Sequence, residues 1–171
     1  YVYGNQFFGD ADITAYMDNW YQNGTEVVFA CGGGIYTSAV DAAKKIEGSK
    51  VIGVDVDQSG VITNYAAGEG ASEEELAKWD DLTVTSAMKG LADATKWALA
   101  KHYDNKWSEI GGIATALGAK DNAVGLPTAT WSLKNWKVED YNALFADIVA
   151  GKVTISSELV LHPENTANVT V

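Results

Sequence analysis

The sequence of 171 residues contains no arginine, and its twelve basic residues are all lysines. Its 23 acidic residues give a formal net charge of −11. A protein that binds nucleic acid needs a basic face, so this balance argues against a nucleic-acid partner. The absence of arginine also argues against a ligand held by a guanidinium fork, although lysines or a helix N-terminus can still bind phosphate.

Cysteine and histidine are almost as scarce, with one cysteine, Cys31, and two histidines, His102 and His162. A single cysteine excludes a disulfide within the chain and a cysteine-based zinc site. The two histidines stand far apart, in no spacing typical of a metal site. We therefore predict no metal and no cofactor. Because Cys31 ends an apolar run, we expect it to be a buried, unreactive thiol.

Long apolar runs are also absent, since none approaches the eighteen residues that a membrane helix needs. The content of 47% hydrophobic and 20% charged residues is typical of one globular domain with a sizeable core. The sequence begins without methionine, inside what resembles a strand. We expect that a signal peptide has been removed or that the sequence starts within a longer protein.

What the sequence does contain is an alternation of strand and helix patterns. Strands are predicted at residues 1–8, 25–31, 50–56, 82–86 and 113–117, and helices at about 12–22, 36–46, 91–102 and 138–150. Between 59 and 81 we expect a loose stretch with one short helix, which begins at the capping box of residues 72–75. The alternation predicts an α/β fold with a mostly parallel sheet and right-handed crossovers.

The third predicted strand ends abruptly in polar residues, namely Asp55, Asp57 and Gln58. Ligands of open α/β sheets bind outside the carboxyl ends of strands. If the strand continues, Asp55 and Asp57 share a face and could carry acid–base chemistry or bind hydroxyls. No serine, cysteine or histidine motif completes a nucleophilic set, so hydroxyl binding needs fewer assumptions. A capping Asp55 with solvated neighbours remains the alternative.

Two further features stand at predicted strand ends. The glycine run Gly32–Gly34 could let a ligand approach the backbone, but it matches neither the dinucleotide fingerprint nor a P-loop, and a tight turn explains it equally well. Lys89 follows the strand at 82–86 and could donate to a hydroxyl or balance Asp55. A solvated lysine at the start of a helix is the alternative.

Four sequence blocks then occur in a characteristic order. They are Phe-Ala-Cys-Gly-Gly-Gly, Gly-Val-Asp-Val-Asp-Gln, Leu-Thr-Val-Thr-Ser-Ala-Met-Lys and Ala-Leu-Gly-Ala-Lys-Asp-Asn-Ala-Val-Gly-Leu. In this order they resemble the BMP (PnrA-like) family of substrate-binding lipoproteins of nucleoside ABC importers. The resemblance implies a type I periplasmic-binding fold, of which the chain holds most of the C-terminal lobe as a three-layer α/β sandwich. Residues 1–88 and 112–171 would form that lobe, and 89–111 a hinge and a helix that packs on an N-terminal lobe outside this sequence.

The resemblance also implies a function, a non-catalytic subunit that binds a nucleoside, expected to be a purine nucleoside, between two lobes. Asp55 and Lys89 would bind the ribose hydroxyls, Gly33 and Gly34 would line the cleft, and Asp57 would contact ligand or support its loop. Tyr36 stands where the family usually has a small residue, so it would narrow the pocket or stack within it.

The implied partners are the membrane subunits of an ABC importer and the N-terminal lobe, with the protein lipid-anchored outside the cytoplasm of a bacterium. Two other readings stay open. One is a Rossmann-like nucleotide-binding module or enzyme that uses Gly32–Gly34 for phosphate. The other is an isolated lobe that has no affinity for a ligand.

Overall fold

A computed structural model of the chain describes residues 1–156. Its centre is a four-stranded sheet in the order β1-β2-β3-β4, in which β1, β2 and β3 run parallel and β4 pairs antiparallel to β3. The elements are α1 (Ala11–Gln22), β1 (Val27–Phe29), α2 (Tyr36–Ala43), β2 (Lys50–Asp55), α3 (Ser59–Ala67), α4 (Glu73–Ala77), β3 (Thr83–Lys89), α5 (Leu91–Tyr103), 3₁₀ turns at Trp107–Glu109 and Ala119–Asp121, β4 (Val124–Gly125) and α6 (Val138–Val149). The predicted α/β fold with a mostly parallel sheet is confirmed.

The register of the parallel strands brings their carboxyl ends together. Val28 on β1 lies opposite Val51 on β2, and Asp55, the last residue of β2, lies opposite Met88 on β3. The next residue, Lys89, is the last of β3 and therefore lies at the same carboxyl edge of the sheet as Asp55. The register therefore sets the neighbourhood in which polar side chains can meet.

The core lies between the sheet and the helices that connect its strands. Helix α2 presents small residues to α1 and β2, and Ala39 and Ala42 are fully buried. The Tyr21 hydroxyl on α1 reaches the sheet and donates to the Lys50 carbonyl oxygen at 2.7 Å. Burial raises the pKa of Tyr21, so the phenol stays protonated and continues to donate. Other buried apolar side chains of this core are Ile13, Met17, Val28, Val40, Val51, Ile62 and Leu82.

Local signals explain where two of the helices begin. Asp10 precedes α1 and its Oδ1 accepts from the Ile13 amide at 2.8 Å, the bond expected of an N-cap carboxylate. Ser72 and Glu75 form the predicted capping box at the start of α4, with the Ser72 amide donating to Glu75 Oε2 at 2.8 Å.

Three predictions about secondary structure are wrong. Residues 1–8 do not form a strand, apart from one parallel bridge between Phe8 and Gly34, because no described strand runs beside them to pair with. Residues 113–117 are also irregular. The stretch after Gln58 is more ordered than expected, since Ser59–Ala67 form a full helix.

Two further observations concern Cys31 and the end of the described chain. Cys31 is exposed rather than buried, because β1 ends two residues before it and leaves the thiol at the margin of the sheet. The sequence from residue 153 onward has a β-prone, polar composition, but residues 153–156 form no strand, and residues 157–171 lie outside the described part of the chain.

Helix α5 has the predicted bounds and an uncovered apolar side. None of its residues is buried, and Leu91 and Leu99 are each about half exposed. A shallow groove of about 570 Å³ runs along it, lined by Leu91, Ala94, Thr95, Ala98, Leu99, His102 and Trp107. Within residues 1–156, no helix has both the length and the apolar content needed to span a bilayer.

Gly90 provides a test of how closely two chain segments approach at the start of α5. Its amide donates to the Ala123 carbonyl oxygen at 2.8 Å, and a Cβ at this position would overlap the Asn122 carbonyl oxygen. We expect Gly90→Ala to lower the free energy of unfolding by about 1–3 kcal/mol. Denaturant titration measures the change.

The matched control is Gly60→Ala in α3, where a Cβ meets no atom within 4 Å. Alanine is favoured over glycine inside a helix, so this variant should be as stable as the parent protein or more so. Equal stability of the two variants would contradict the close approach at Gly90.

Candidate functional site

The charged side chains at the ends of β2 and β3 meet at the carboxyl edge of the sheet. Lys89 Nζ lies 2.7 Å from Asp55 Oδ1. The Lys89 side chain is 59% exposed and the Asp55 side chain 31% exposed. An ion pair this open to water adds little to folding stability, so its contribution to the fold does not explain why both charges are here.

Asp55 has an unusual backbone conformation. Its φ is +70°, in the left-handed region that side chains other than glycine rarely adopt. The Val56 amide donates to the Val54 carbonyl oxygen at 2.8 Å, which closes a tight turn of three residues around Asp55. Such conformations cost about 1–3 kcal/mol and cluster at binding and catalytic sites.

The electrostatics of the pair favour the charged form of Lys89. The Asp55 carboxylate raises the pKa of Lys89, first through their short contact and then through its negative charge. Asp55 Oδ1 is hidden from solvent, and Lys89 approaches it off the direction of an aligned hydrogen bond. The pair thus places a cationic donor beside a carboxylate whose side chain is still partly exposed.

The glycine run forms the turn between β1 and α2. Gly33 has φ +38°, and Gly34 donates its amide to the Phe7 carbonyl oxygen at 2.7 Å. The amides of Gly32, Ile35 and Thr37 also donate to backbone carbonyls nearby. Most of the amides that could cradle a phosphate are therefore already bonded within the protein.

Both carboxylate oxygens of Asp57 accept hydrogen bonds from other residues of the protein. Oδ1 accepts from the Ser59 amide at 3.1 Å and from the Ser59 hydroxyl at 2.8 Å, and Oδ2 accepts from the Thr130 hydroxyl at 2.6 Å. Burial pushes the pKa of Asp57 upward, but the hydrogen bonds from Thr130 and Ser59 together lower it below the ordinary value. β2 ends at Asp55, so Asp57 lies past the strand and the two carboxylates are not successive members of one strand face.

Tyr36 is the first residue of α2 and is half-buried. Its ring meets that of Tyr65 edge-on, with the centroids 5.9 Å apart, and packs against the core. The hydrogen bonds and ion pairs of the described residues do not join Tyr36 to Asp55 or Lys89.

Gln58, the third polar residue predicted at the end of β2, is bonded to three other segments of the chain. It is 6% exposed, and its side-chain amide bonds to the Val54 amide and to the Gly33 carbonyl oxygen. Sequence reasoning placed Gln58 near the chemistry without giving it a role. It missed Ser86 and Thr130 as partners of this region, and no local pattern marks Thr130, which lies 73 residues from Asp57.

Two observations concern other possible binding sites on the surface. Among residues 1–156 no group of three or more His, Cys, Asp or Glu side chains is arranged to bind a metal ion. A larger, apolar groove of about 830 Å³ lies apart from the charged pair, between the first seven residues, α1 and the open edge of β1. Its lining includes Tyr3, Phe7, Trp20, Val28 and Cys31, but neither Asp55 nor Lys89.

Comparison with known proteins adds an independent finding. A family model described as "ABC transporter substrate-binding protein PnrA-like" matches residues 1–158. The ABC transporter nucleoside-binding protein BmpA of Lactococcus lactis subsp. cremoris (strain MG1363) is 30% identical over 147 residues, which cover 81% of this chain and 38% of the relative. The chain thus spans less than two fifths of the length of this curated relative.

The lowered pKa of Asp57 predicts how its contribution to stability depends on pH. A carboxylate whose pKa is lower in the folded state stabilises the protein above its unfolded pKa, and this stabilisation is lost as the pH falls through the folded pKa. Asp57→Asn should therefore be less stable than the parent protein at pH 7, and the difference should shrink on acidification below about pH 4. Thermal unfolding across pH 2–7 measures it.

Asp80→Asn is the matched control, since Asp80 is exposed in the turn between α4 and β3. Its substitution should not change the stability of the protein. A difference for Asp57→Asn that does not change with pH would contradict the role assigned to its charge.

Proposed function

The chain belongs to the PnrA-like family of ABC transporter substrate-binding proteins, and from that premise we propose that it forms one wall of a nucleoside-binding cleft. The observation that carries the proposal is the Asp55–Lys89 pair at the carboxyl ends of neighbouring parallel strands, with a contact of 2.7 Å. This is the edge at which open α/β sheets bind ligands.

The pair suits a ribose because a sugar hydroxyl both donates and accepts. A carboxylate oxygen of Asp55 would accept from one hydroxyl, and the Lys89 ammonium would donate to that hydroxyl or its neighbour. Vicinal hydroxyls on one ring can satisfy both groups at once without bringing a charge of their own. A neutral, hydroxyl-rich ligand therefore matches a site whose two charges already cancel.

A nucleoside fits better than a nucleotide for two reasons. The amides of Gly32, Gly34, Ile35 and Thr37 are occupied by backbone carbonyls, which leaves the glycine loop poorly equipped to hold a phosphate. The net charge of −11, with no arginine, also disfavours an anionic ligand. Gly33 and Gly34 would instead line the cleft through their backbone, and the strained turn at Asp55 would orient its carboxylate.

Asp57 and Tyr36 would serve this site indirectly. Asp57 accepts from Ser59, the first residue of α3, and from Thr130, so its part would be to hold the loop that follows Asp55. Tyr36 would limit the pocket from the side of α2, with its ring fixed against Tyr65.

The rest of the cleft would come from a larger protein. Residues 1–88 and 112–171 would belong to a C-terminal lobe, and 89–111 would carry the chain toward an N-terminal lobe that covers the apolar side of α5. The groove beside β1 would hold the opening strand of the same lobe, because β1 pairs only with β2 in the described residues and Phe29 is half exposed. Closure of the two lobes on the ligand would follow the hinge mechanism of such receptors.

The whole protein would deliver a purine nucleoside to the membrane subunits of an importer, outside the cytoplasm and held by a lipid anchor. The curated relative BmpA is named as a nucleoside-binding protein, which supports the ligand class. The proposal is for a binding protein and includes no catalytic step, in keeping with the description of the family as substrate-binding proteins.

The proposal predicts the effect of removing the carboxylate. In the full-length protein, Asp55→Ala should weaken nucleoside binding by about 1.5–3 kcal/mol, or roughly ten- to hundredfold in Kd, because it removes a hydrogen bond to a charged group. Calorimetry with inosine and guanosine measures the loss. Lys89→Met should weaken binding in the same range, since it removes the other member of the pair.

The control is Asp81→Asn, which removes one negative charge from a second Asp–Lys pair. Asp81 contacts Lys50 at 2.7 Å at the opposite end of β2, far from the proposed cleft. Its Kd should equal that of the parent protein. Unchanged affinity in Asp55→Ala would contradict the proposed contact between Asp55 and the ribose.

A second titration separates the nucleoside-binding proposal from a phosphate-binding module. The full-length protein should bind inosine more tightly than inosine monophosphate, because the loop amides are already bonded. Tighter binding of the monophosphate would favour the glycine loop as a phosphate site. Pyrimidine nucleosides in the same series test the expected preference for purines.

A further inference from the structure

Gln58 connects three separate parts of the candidate site through one buried residue. Its side-chain Oε1 accepts from the Val54 amide at 2.9 Å, and its Nε2 donates to the Gly33 carbonyl oxygen at 3.0 Å. Its backbone amide donates to the Ser86 hydroxyl oxygen at 3.0 Å. Gln58 is 6% exposed and Ser86 is fully buried, so water does not compete for these bonds.

Each of these partners belongs to the proposed ribose site or lies within three residues of it in the sequence. Val54 immediately precedes Asp55, and Gly33 belongs to the loop expected to line the cleft. Ser86 lies on β3, three residues before Lys89. A shift of Gln58 would therefore alter the spacing of the acceptor, the donor and the loop relative to one another.

The packing around Gln58 leaves it little freedom. A Cβ on Gly53 would lie 2.8 Å from the Gln58 Cβ, 2.8 Å from its Oε1 and 2.8 Å from the Ser86 hydroxyl oxygen. The glycine at position 53 thus provides the space that the glutamine side chain needs beside β2. The amide is held by packing as well as by its hydrogen bonds.

The left-handed turn at Asp55 makes such a support necessary. The backbone on its N-terminal side is held twice, because Gln58 binds the Val54 amide and the Val56 amide binds the Val54 carbonyl oxygen. A strained conformation persists only where its surroundings determine it. Without Gln58, the segment could relax and turn the Asp55 carboxylate away from Lys89.

We propose that Gln58 is a positioning residue that fixes the Asp55–Lys89 pair and the Gly33 loop at the separation a ribose requires. The inference rests on the proposed nucleoside site and deepens it. A primary amide suits this position because a single group must accept from the Val54 amide and donate to the Gly33 carbonyl oxygen. Glutamate at neutral pH keeps the acceptor and loses the donor, and methionine loses both.

The test compares two ligands in the full-length protein, inosine and 2′,3′-dideoxyinosine, by calorimetry. The parent protein should prefer inosine, since only inosine offers both ribose hydroxyls to Asp55 and Lys89. In Gln58→Met this preference should fall by about tenfold, the loss expected when one well-placed polar contact is misplaced. If Gln58 only supported the fold, Gln58→Met would weaken the binding of both ligands equally and leave the ratio of their affinities unchanged. That result would overturn the inference.

Gln58→Glu serves as the second variant and Gln22→Met as the control. Glutamate preserves the side-chain shape and the bond to Val54 and removes only the donor to Gly33, so it isolates that bond, and it too should lower the preference for inosine. Gln22 is an exposed residue at the end of α1, and its substitution should change neither affinity nor ratio. An unchanged ratio in Gln58→Glu, with normal folding, would also count against the positioning role.

Amide hydrogen exchange provides a readout that does not depend on any ligand. The Val54 amide should exchange faster in Gln58→Met than in the parent protein or in Gln22→Met, because its acceptor is gone. Unchanged exchange at Val54 would overturn the positioning role whatever the nucleosides do. If the parent protein binds no nucleoside, the proposed function fails, and faster exchange at Val54 would still support Gln58 as the residue that holds the turn at Asp55.

Discussion

The parallel pairing of β2 with β3 is the constraint on which the rest of the site depends. The backbone ladder sets Asp55 opposite Met88, and Gln58, which bonds to Val54 on β2 and to Ser86 on β3, links the same two strands just behind the charged edge. Side chains that are 34 residues apart in sequence, Asp55 and Lys89, therefore meet at 2.7 Å without a dedicated loop to bring them together. Sites built on strands in this way are held more rigidly than sites built on loops.

The sequence predicted the parts of this arrangement that follow from local pattern. Apolar runs bounded by glycine and acidic residues correctly indicated β1, β2 and β3, and helical periodicity correctly indicated α1, α2, α5 and α6. Residues 1–8 show the limit of such reasoning. Their aromatic, β-prone composition indicates a strand, but a strand exists only where a neighbour supplies hydrogen bonds, and the described chain supplies one bridge at Phe8.

The same limit applies within the candidate site. Strand ends could be predicted, so the proximity of Asp55 and Lys89 could be anticipated from sequence. The bonding of Asp57 to Thr130 could not, because it depends on how a segment 73 residues away folds back over the sheet. The left-handed turn at Asp55 was equally hidden, since aspartate carries no signal for it comparable to that of glycine, and its support comes from a side chain, Gln58, that resembles an ordinary loop residue in the sequence.

The cancellation of charge between Asp55 and Lys89 has a consequence for how a ligand would be captured. Two opposite charges 2.7 Å apart form a dipole, and its field fades well within the Debye length of about 10 Å at ordinary ionic strength. Such a site exerts no long-range pull on an approaching molecule and acts only at contact. Encounter would therefore be governed by diffusion and by the shape of the opening, and dilute or concentrated salt in the medium would leave the capture rate of a neutral sugar nearly the same.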